Sequence, residues 1–313
     1  MIKNKIPFFV AEISANHCGN INLAKKLIKC AKDNGADAAK LQTYTADTMT
    51  IQSNKKYFKI KNGLWKGYDL WNLYNEAHTP LEWNKKLFDY GKKLGITIFS
   101  TPFDETAVDL LEKLKCPMYK VASFEMTDLL LIKRISQTKK PIIISTGMAS
   151  MEEIELAYRT AKNYGAKNIT LLYCVSNYPS KNTDFNLNNI KILKNKFKCR
   201  VGLSDHSKDN RVAIAAVAAG AEVVEKHIAL DKQKRGLDIE FSLKGKEIKK
   251  FKDFKEDTRS CDGADVCLTI TSVTSNSLDV SMDNDISLAG YTIYFDGITI
   301  TGVSGGLAED HGW

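Results

Sequence analysis

Eight short, almost unbroken apolar runs, each followed by a segment of helical period, leave this chain few architectures to choose from. The runs predict strands at Phe8–Ser14, Ala38–Tyr44, Thr97–Phe103, Met118–Ser123, Pro141–Gly147, Ile169–Val175, Arg200–His206 and Val223–Ile228. Continuous apolar character, without alternation, is the pattern of strands covered on both faces. Between them the period changes: Leu23, Leu27, Ile28 and Ala31 fall on one helical stripe. Thr79-Pro80-Leu81-Glu82 and Ser150-Met151-Glu152-Glu153 read as capping boxes, and Gly35, Gly95, Gly165 and Gly220 read as helix stops. Eight β-α repeats within about 250 residues are what a (β/α)8 TIM barrel of the α/β class requires. A doubly wound open sheet is the alternative, but no glycine-rich fingerprint follows the first strand.

In a barrel, chemistry gathers at the carboxyl ends of the strands. Reading those ends in turn gives Glu12, then Lys40 and Gln42, Ser100 and Thr101, Lys120 and Ser123, Ser145 and Thr146, Ser176 and Tyr178, Ser204 and His206, and His227. Parallel neighbours bring the ends of the last two strands together, so His206 and His227 can share one metal ion, with water or oxygen ligands completing it. The plainer reading of each histidine is structural. Lysines at the ends of buried strands need counter-charges. Either Lys40 and Lys120 pair with Glu12 and Glu225, or they clamp an anionic phosphate or carboxylate together with the hydroxyls. After the second strand some 35 residues, Thr45–Thr79, precede the next firm helix. They carry Tyr57, Phe58 and Trp65, and a long aromatic insertion at this position caps a barrel mouth.

Charge divides the chain. All 45 Lys and Arg lie within residues 1–260 with 29 of the 37 Asp and Glu, and the remaining eight acids follow residue 260 unaccompanied. The lysines sit on helix faces (Lys25, Lys26, Lys29, Lys32; Lys191, Lys194, Lys196, Lys198), which makes them a solvated surface; no basic and aromatic platform for nucleic acid is present. No apolar run is long enough to span a membrane, and Glu12 interrupts the N-terminal apolar stretch before a signal core forms, so a cytoplasmic protein is expected. Cys18, Cys30, Cys116, Cys174 and Cys199 lack paired spacing and read as reduced thiols; Cys261 and Cys267 bracket a short acidic loop that a disulfide could close.

Seven segments then carry a specific likeness. They are Ala11-Glu12-Ile13 with Asn16-His17, Lys40-Leu41-Gln42-Thr43, Ser100-Thr101-Pro102-Phe103, Tyr119-Lys120-Val121-Ala122-Ser123, Ile144-Ser145-Thr146-Gly147-Met148, Gly202-Leu203-Ser204-Asp205-His206-Ser207 and Glu225-Lys226-His227. In this order, from Pro7 to Leu243, the chain resembles the sialic acid synthase family, which condenses phosphoenolpyruvate with an N-acylated sugar aldehyde. The Tyr57–Trp65 insertion, Leu73-Tyr74, Thr79–Trp83, Gln42–Thr48 and Glu240–Leu243 look most like the pseudaminic acid synthases within it. The resemblance implies a 2,4-diacetamido-2,4,6-trideoxyhexose (altrose type) as the sugar. It further implies that Lys40, Thr101, Lys120, Ser123, Ser145, Ser176 and Ser204 hold phosphoenolpyruvate, with Ser176 standing where the family often has Asn. His206 and His227 would carry a divalent ion, Mn2+ by the likeness with Mg2+ or Co2+ as alternatives, and with Glu12 form the catalytic group. Asn16, Gln42, Tyr178 and Asp238 would orient the sugar. The partners implied are these two small molecules and no nucleic acid or membrane.

The likeness fades after Leu243, dividing the chain into a synthase barrel (1–257) and a β-rich acidic tail (258–313). The family continues into an antifreeze-like domain that supplies an arginine to the partner subunit's site; residues 258–313 show no trace of it, so whether a homodimer forms stands open. Strand-like alternation at Cys267–Val273, Ser277–Met282, Gly290–Phe295 and Ile298–Gly302 reads instead as part of a β-sandwich module. The acidic Ser281–Asp285 stretch reads as a turn, with a calcium loop as the alternative. Synthesis of N-acetylneuraminate or legionaminate, or an idle barrel that binds ligand without turnover, remain the competing readings.

Overall fold

A computed structural model describes residues 7–257, 266–273 and 278–284, with side chains through residue 251. Eight parallel strands form one ring: β1 (Phe8–Glu12), β2 (Ala38–Thr43), β3 (Thr97–Pro102), β4 (Tyr119–Val121), β5 (Ile142–Ser145), β6 (Ile169–Cys174), β7 (Arg200–Asp205) and β8 (Val223–Ala229). Each pairs with the next, and β8 returns to β1 from Phe8↔Val223 to Glu12↔His227. That closing pair makes the molecule a TIM barrel and rules out the open sheet. A two-residue strand, Leu243–Lys244, adds to β8 outside the ring.

Most strands stop one or two residues short of their expected carboxyl ends. At β1 the cause is local: Ser14 takes a positive φ of 42° and starts a 3-10 turn, Ser14–His17. Close approach has its own demand at Gly202, where an added Cβ would lie 2.1 Å from the Val223 carbonyl oxygen. No side chain fits between β7 and β8 at that level.

Helices cover the ring as their stripes require. Asn20 accepts hydrogen bonds from the backbone of Asn22 and Leu23, opening the helix Ile21–Asp33, which buries Ala24, Leu27, Ile28 and Ala31. The capping box at Ser150 is present: the Glu153 amide donates to Ser150 Oγ, and Glu153 reaches back to the Ser150 amide. The one expected at Thr79 is not. That helix begins at Trp83 with Glu82 as its N-cap, while Thr79 Oγ1 lies 3.3 Å from Nε2 of the buried His17. A buried imidazole nitrogen that would otherwise lack a partner outweighs a solvent-replaceable cap. The last barrel helix, Gly245–Asp257, docks through Ile248 and Phe251, whose ring lies 5.0 Å from that of Phe9. Burying one such phenyl group contributes about 2–3 kcal/mol.

The insertion after β2 contains more structure than expected: helices Ala46–Met49 and Leu70–Ala77, with a 3-10 turn at Lys56–Phe58. Asp69 caps the second helix through the Asn72 amide. Beyond the barrel, Val266–Val273 and Leu278–Asn284 pair antiparallel. The second strand runs through most of the acidic stretch read as a turn. Cys261 and the strands expected at Gly290–Phe295 and Ile298–Gly302 lie outside the described residues. Among the described residues no helix is long and apolar enough to cross a membrane, and Cys18, Cys30, Cys116, Cys174 and Cys199 are free thiols.

Candidate active site

Strand alternation turns Glu12, Lys40, Lys120, Ser204 and Glu225 into the barrel, where all five are buried. Lys40 Nζ pairs with Glu12 Oε2, donates to Thr101 Oγ1 at 3.0 Å and lies 3.7 Å from Glu225 Oε1. Lys120 Nζ stands 3.3 Å from the same Glu225 oxygen, to which Ser204 Oγ also donates at 3.2 Å. The lysines thus have the counter-charges that one sequence reading required. Burial opposes the charge of Lys40, but Glu12 and Glu225 together outweigh it and its pKa is raised. For Lys120 burial prevails over Glu225, and its pKa is lowered. Glu225 is held below the usual carboxylate range: burial works the other way, but Lys120 and Lys40 overcome it.

Two hydroxyls, at the end of β5 and just past β6, have no partners. Ser145 Oγ and Ser176 Oγ are buried and bond to nothing. A Cβ on Gly147 would come within 2.4 Å of Ser176 Oγ and 2.8 Å of Ser123 Oγ, so a side chain there would push both hydroxyls aside. Buried hydroxyls are costly to leave unsatisfied. An oxyanion beside Lys120 would satisfy them.

The imidazoles stand at the ends of the next two strands, with Cys174 Sγ 3.9 Å from His206 Nδ1. His206 follows the last residue of β7 and His227 lies within β8; their ring centroids are 5.5 Å apart. His206 Nδ1 is 3.0 Å from the Val175 carbonyl, which fixes the proton on Nδ1 and leaves Nε2 as the basic nitrogen. His227 Nδ1 faces Asp238 Oδ2 at 3.3 Å, too poorly aligned for a hydrogen bond. Burial works against the Asp238 carboxylate, but His227 outweighs it and lowers its pKa. The donor chemistry suits a divalent cation with an open coordination sphere: two nitrogens from neighbouring strand ends, and among the described residues no cage of three or more His, Cys, Asp or Glu.

The residues expected from the sequence to orient a sugar differ in how they are held. Tyr178 packs on His206 with centroids 4.4 Å apart, and Gln42 Nε2 donates to Ser14 Oγ at 3.1 Å. Asn16 is tied into the scaffold: its amide donates to the Ile228 carbonyl and to Ser242 Oγ, and its Oδ1 has no partner. Over them lies the insertion. Trp65 Nε1 donates to the Leu237 carbonyl at 2.9 Å, and its ring lies 5.7 Å from that of Tyr178.

Glu125 was absent from the sequence reading. It lies in the 3-10 turn after β4, partly exposed as a residue but with Oε2 sealed and unpartnered. Burial pushes its pKa up to about 7, against the pull of Lys120 and Lys40. No periodicity marks a short turn; the carboxyl at 125, two residues after Ser123, was the only available signal.

Comparison with known proteins places the chain among relatives. Residues 27–266 match the model of the NeuB family. The pseudaminic acid synthase of Helicobacter pylori is 46% identical over 237 residues, covering 76% of this chain and 70% of that protein. The N,N'-diacetyllegionaminic acid synthase of Campylobacter jejuni is 40% identical, covering 78% and 74%. Among solved structures, an N-acetylneuraminic acid (sialic acid) synthetase from Leptospira borgpetersenii superposes with a TM-score of 0.75 at 32% identity, covering 83% of this chain and 86% of that one. With the family model, the closed ring and these relatives in accord, the chain belongs to the NeuB family.

Proposed function

We propose that this chain condenses phosphoenolpyruvate with a 2,4-diacetamido-2,4,6-trideoxyhexose of the altrose type, giving pseudaminic acid and phosphate. The observation that carries it is that two buried lysines and two imidazoles stand at the carboxyl ends of one closed ring of strands. Buried lysines with unpartnered hydroxyls suit a small anion, and two imidazoles suit an activated carbonyl. The sugar is inferred from relatives: proteins named pseudaminic acid synthase share 44–46% identity with this chain, and those named N,N'-diacetyllegionaminic acid synthase share 36–40%.

Lys40, Thr101 and Lys120 hold the phosphate and carboxylate of phosphoenolpyruvate, with Ser123, Ser145, Ser176 and Ser204 completing the oxygens. His206 and His227 hold a divalent cation, Mn2+ by preference, which when bound supplies Lewis-acid polarisation of the sugar aldehyde. Gln42, Tyr178 and Asp238 orient the sugar so that its C1 meets C3 of the enol, and Asn16 supports that wall from behind. A carbon–carbon bond forms as the aldehyde oxygen takes a proton. Water adds at C2, and phosphate leaves with cleavage of the C–O bond. Glu12 pairs with Lys40, and Glu225 with both lysines, at the centre. Glu125, poised near neutrality, can hold or release the proton that this sequence moves.

The test is phosphate release by purified protein given Mn2+, phosphoenolpyruvate and the diacetamido sugar, with a His206→Ala variant as control. Turnover at least a hundredfold above the variant is expected. Release no greater than the variant's would reject the proposal, and faster turnover of N-acetylmannosamine would reassign the sugar.

A further inference from the structure

We infer that Asp205, Ser207 and Lys226 form a clamp behind the two imidazoles, setting the positions from which His206 and His227 act. The inference rests on the functional reading above for what the histidines do. Its own basis is a group of charges that reading does not use.

Alternation along β7 and β8 puts Ser204, His206, Glu225 and His227 inside the barrel, where Ser204 meets Glu225 and the imidazoles face each other. Asp205 and Lys226 therefore point away from the axis, and they are direct register partners. Both side chains are completely buried. Lys226 Nζ donates to Asp205 Oδ2 at 2.7 Å, to the Ser207 carbonyl at 2.8 Å and to Ser207 Oγ at 3.3 Å, three acceptors for three protons. The second carboxylate oxygen, Asp205 Oδ1, accepts the Ser207 amide at 2.7 Å. The chain is thus gripped on both sides of His206, and the His206 carbonyl itself accepts the Ser180 amide at 3.0 Å. On the other strand, the gripping ammonium belongs to the residue just before His227.

A fully dry ion pair is a poor device for stability alone, because desolvation cancels much of its attraction and an apolar pair often serves as well. What it provides is geometry. One ammonium with three fixed acceptors allows a single offset between strand end and turn. Two ligand-bearing residues on separate strands need that offset fixed if they are to serve one ion, and supporting groups of this kind typically affect metal affinity 10–100-fold.

The experiment compares full-length wild type, Lys226→Met, Asp205→Asn/Lys226→Met and Ser207→Ala. Lys226→Met strands a buried carboxylate and should melt well below wild type. The double variant removes both charges while keeping an acceptor for the Ser207 amide, so its melting temperature should return close to that of wild type. Two readouts follow on folded protein: Mn2+ binding by calorimetry, and ring 15N spectra of His206 and His227 in metal-free, histidine-labelled protein. Affinity in the double variant should be at least about tenfold weaker, with both ring signals shifted or split. Wild-type affinity and unchanged ring signals in a folded double variant would overturn the clamp. If wild type takes up no Mn2+, the metal reading fails and the ring spectra alone decide the clamp. If the double variant does not fold, Ser207→Ala decides: unchanged ring signals there would also overturn it.

Discussion

Glu125 shows how far a single side chain can depart from its sequence context. Its neighbours read as an ordinary turn, yet its sealed oxygen has no donor and its pKa is raised from 4.5 to about 7, chiefly by burial. A carboxyl raised in the folded state contributes stability that is fully present below pH 4.5 and lost as pH climbs through about 7. The buried His17, lowered to about 4 by burial and by His78, changes stability in the opposite sense: its contribution is present above pH 6.5 and lost as pH falls toward 4. Wild-type melting curves therefore mix the two. The difference between wild type and Glu125→Gln isolates the first: the variant should gain about 2 kcal/mol on wild type between pH 4.5 and 8, allowing for partial exposure. A constant difference across that range would refute the assignment. The same substitution should remove any limb near pH 7 from the rate profile. By contrast, Lys40, Lys120, His206 and His227 were legible from the sequence because each occupies a strand end, where position alone implies direction. The pairing with Glu12 and Glu225 could only be posed as one of two options, since sequence does not show which charges meet across a ring.

At the level of elements, the strand–helix alternation and the Ser150 cap were readable because they depend on local period and short-range hydrogen bonds. The Thr79 cap was misread for a nonlocal reason, since His17, 62 residues earlier in the chain, takes its hydroxyl. Within the insertion the aromatic content was legible, but its path was not. Trp65 reaches the Leu237 carbonyl, 172 positions away in sequence, and stacks beside Tyr178. Removing that indole should uncover the residues proposed to take the sugar. Trp65→Ala is expected to raise the KM for the sugar about tenfold, equivalent to roughly 1.4 kcal/mol, with a smaller change in the KM for phosphoenolpyruvate. Trp65→Phe, which loses the hydrogen bond and keeps a ring, should fall between. Equal effects on both substrates in steady-state kinetics would mean that the insertion does not discriminate between them.

For the whole molecule, closure of the ring brings the first and last strands together and sets Glu12 beside His227 in the register. On the proposed reading His206 and His227 would hold a cation only in the native state, so chelation should lower the melting temperature as well as abolish the expected phosphate release. At Mn2+ a hundredfold above its dissociation constant the stabilisation is about 2.7 kcal/mol, and adding the metal back should restore both properties. A chelated protein that melts unchanged would count against metal held at these strand ends. The ion pairs inside the ring have a further result. Two ammonium groups and two carboxylates cancel, so the chamber presents an anion with almost no surplus positive charge. A multiply charged guest entering such a charge-balanced space should bring a cation or draw protons from solution. Calorimetry of phosphoenolpyruvate in buffers of differing ionisation heat, without divalent metal, should therefore register net proton uptake, and Mn2+ should reduce it.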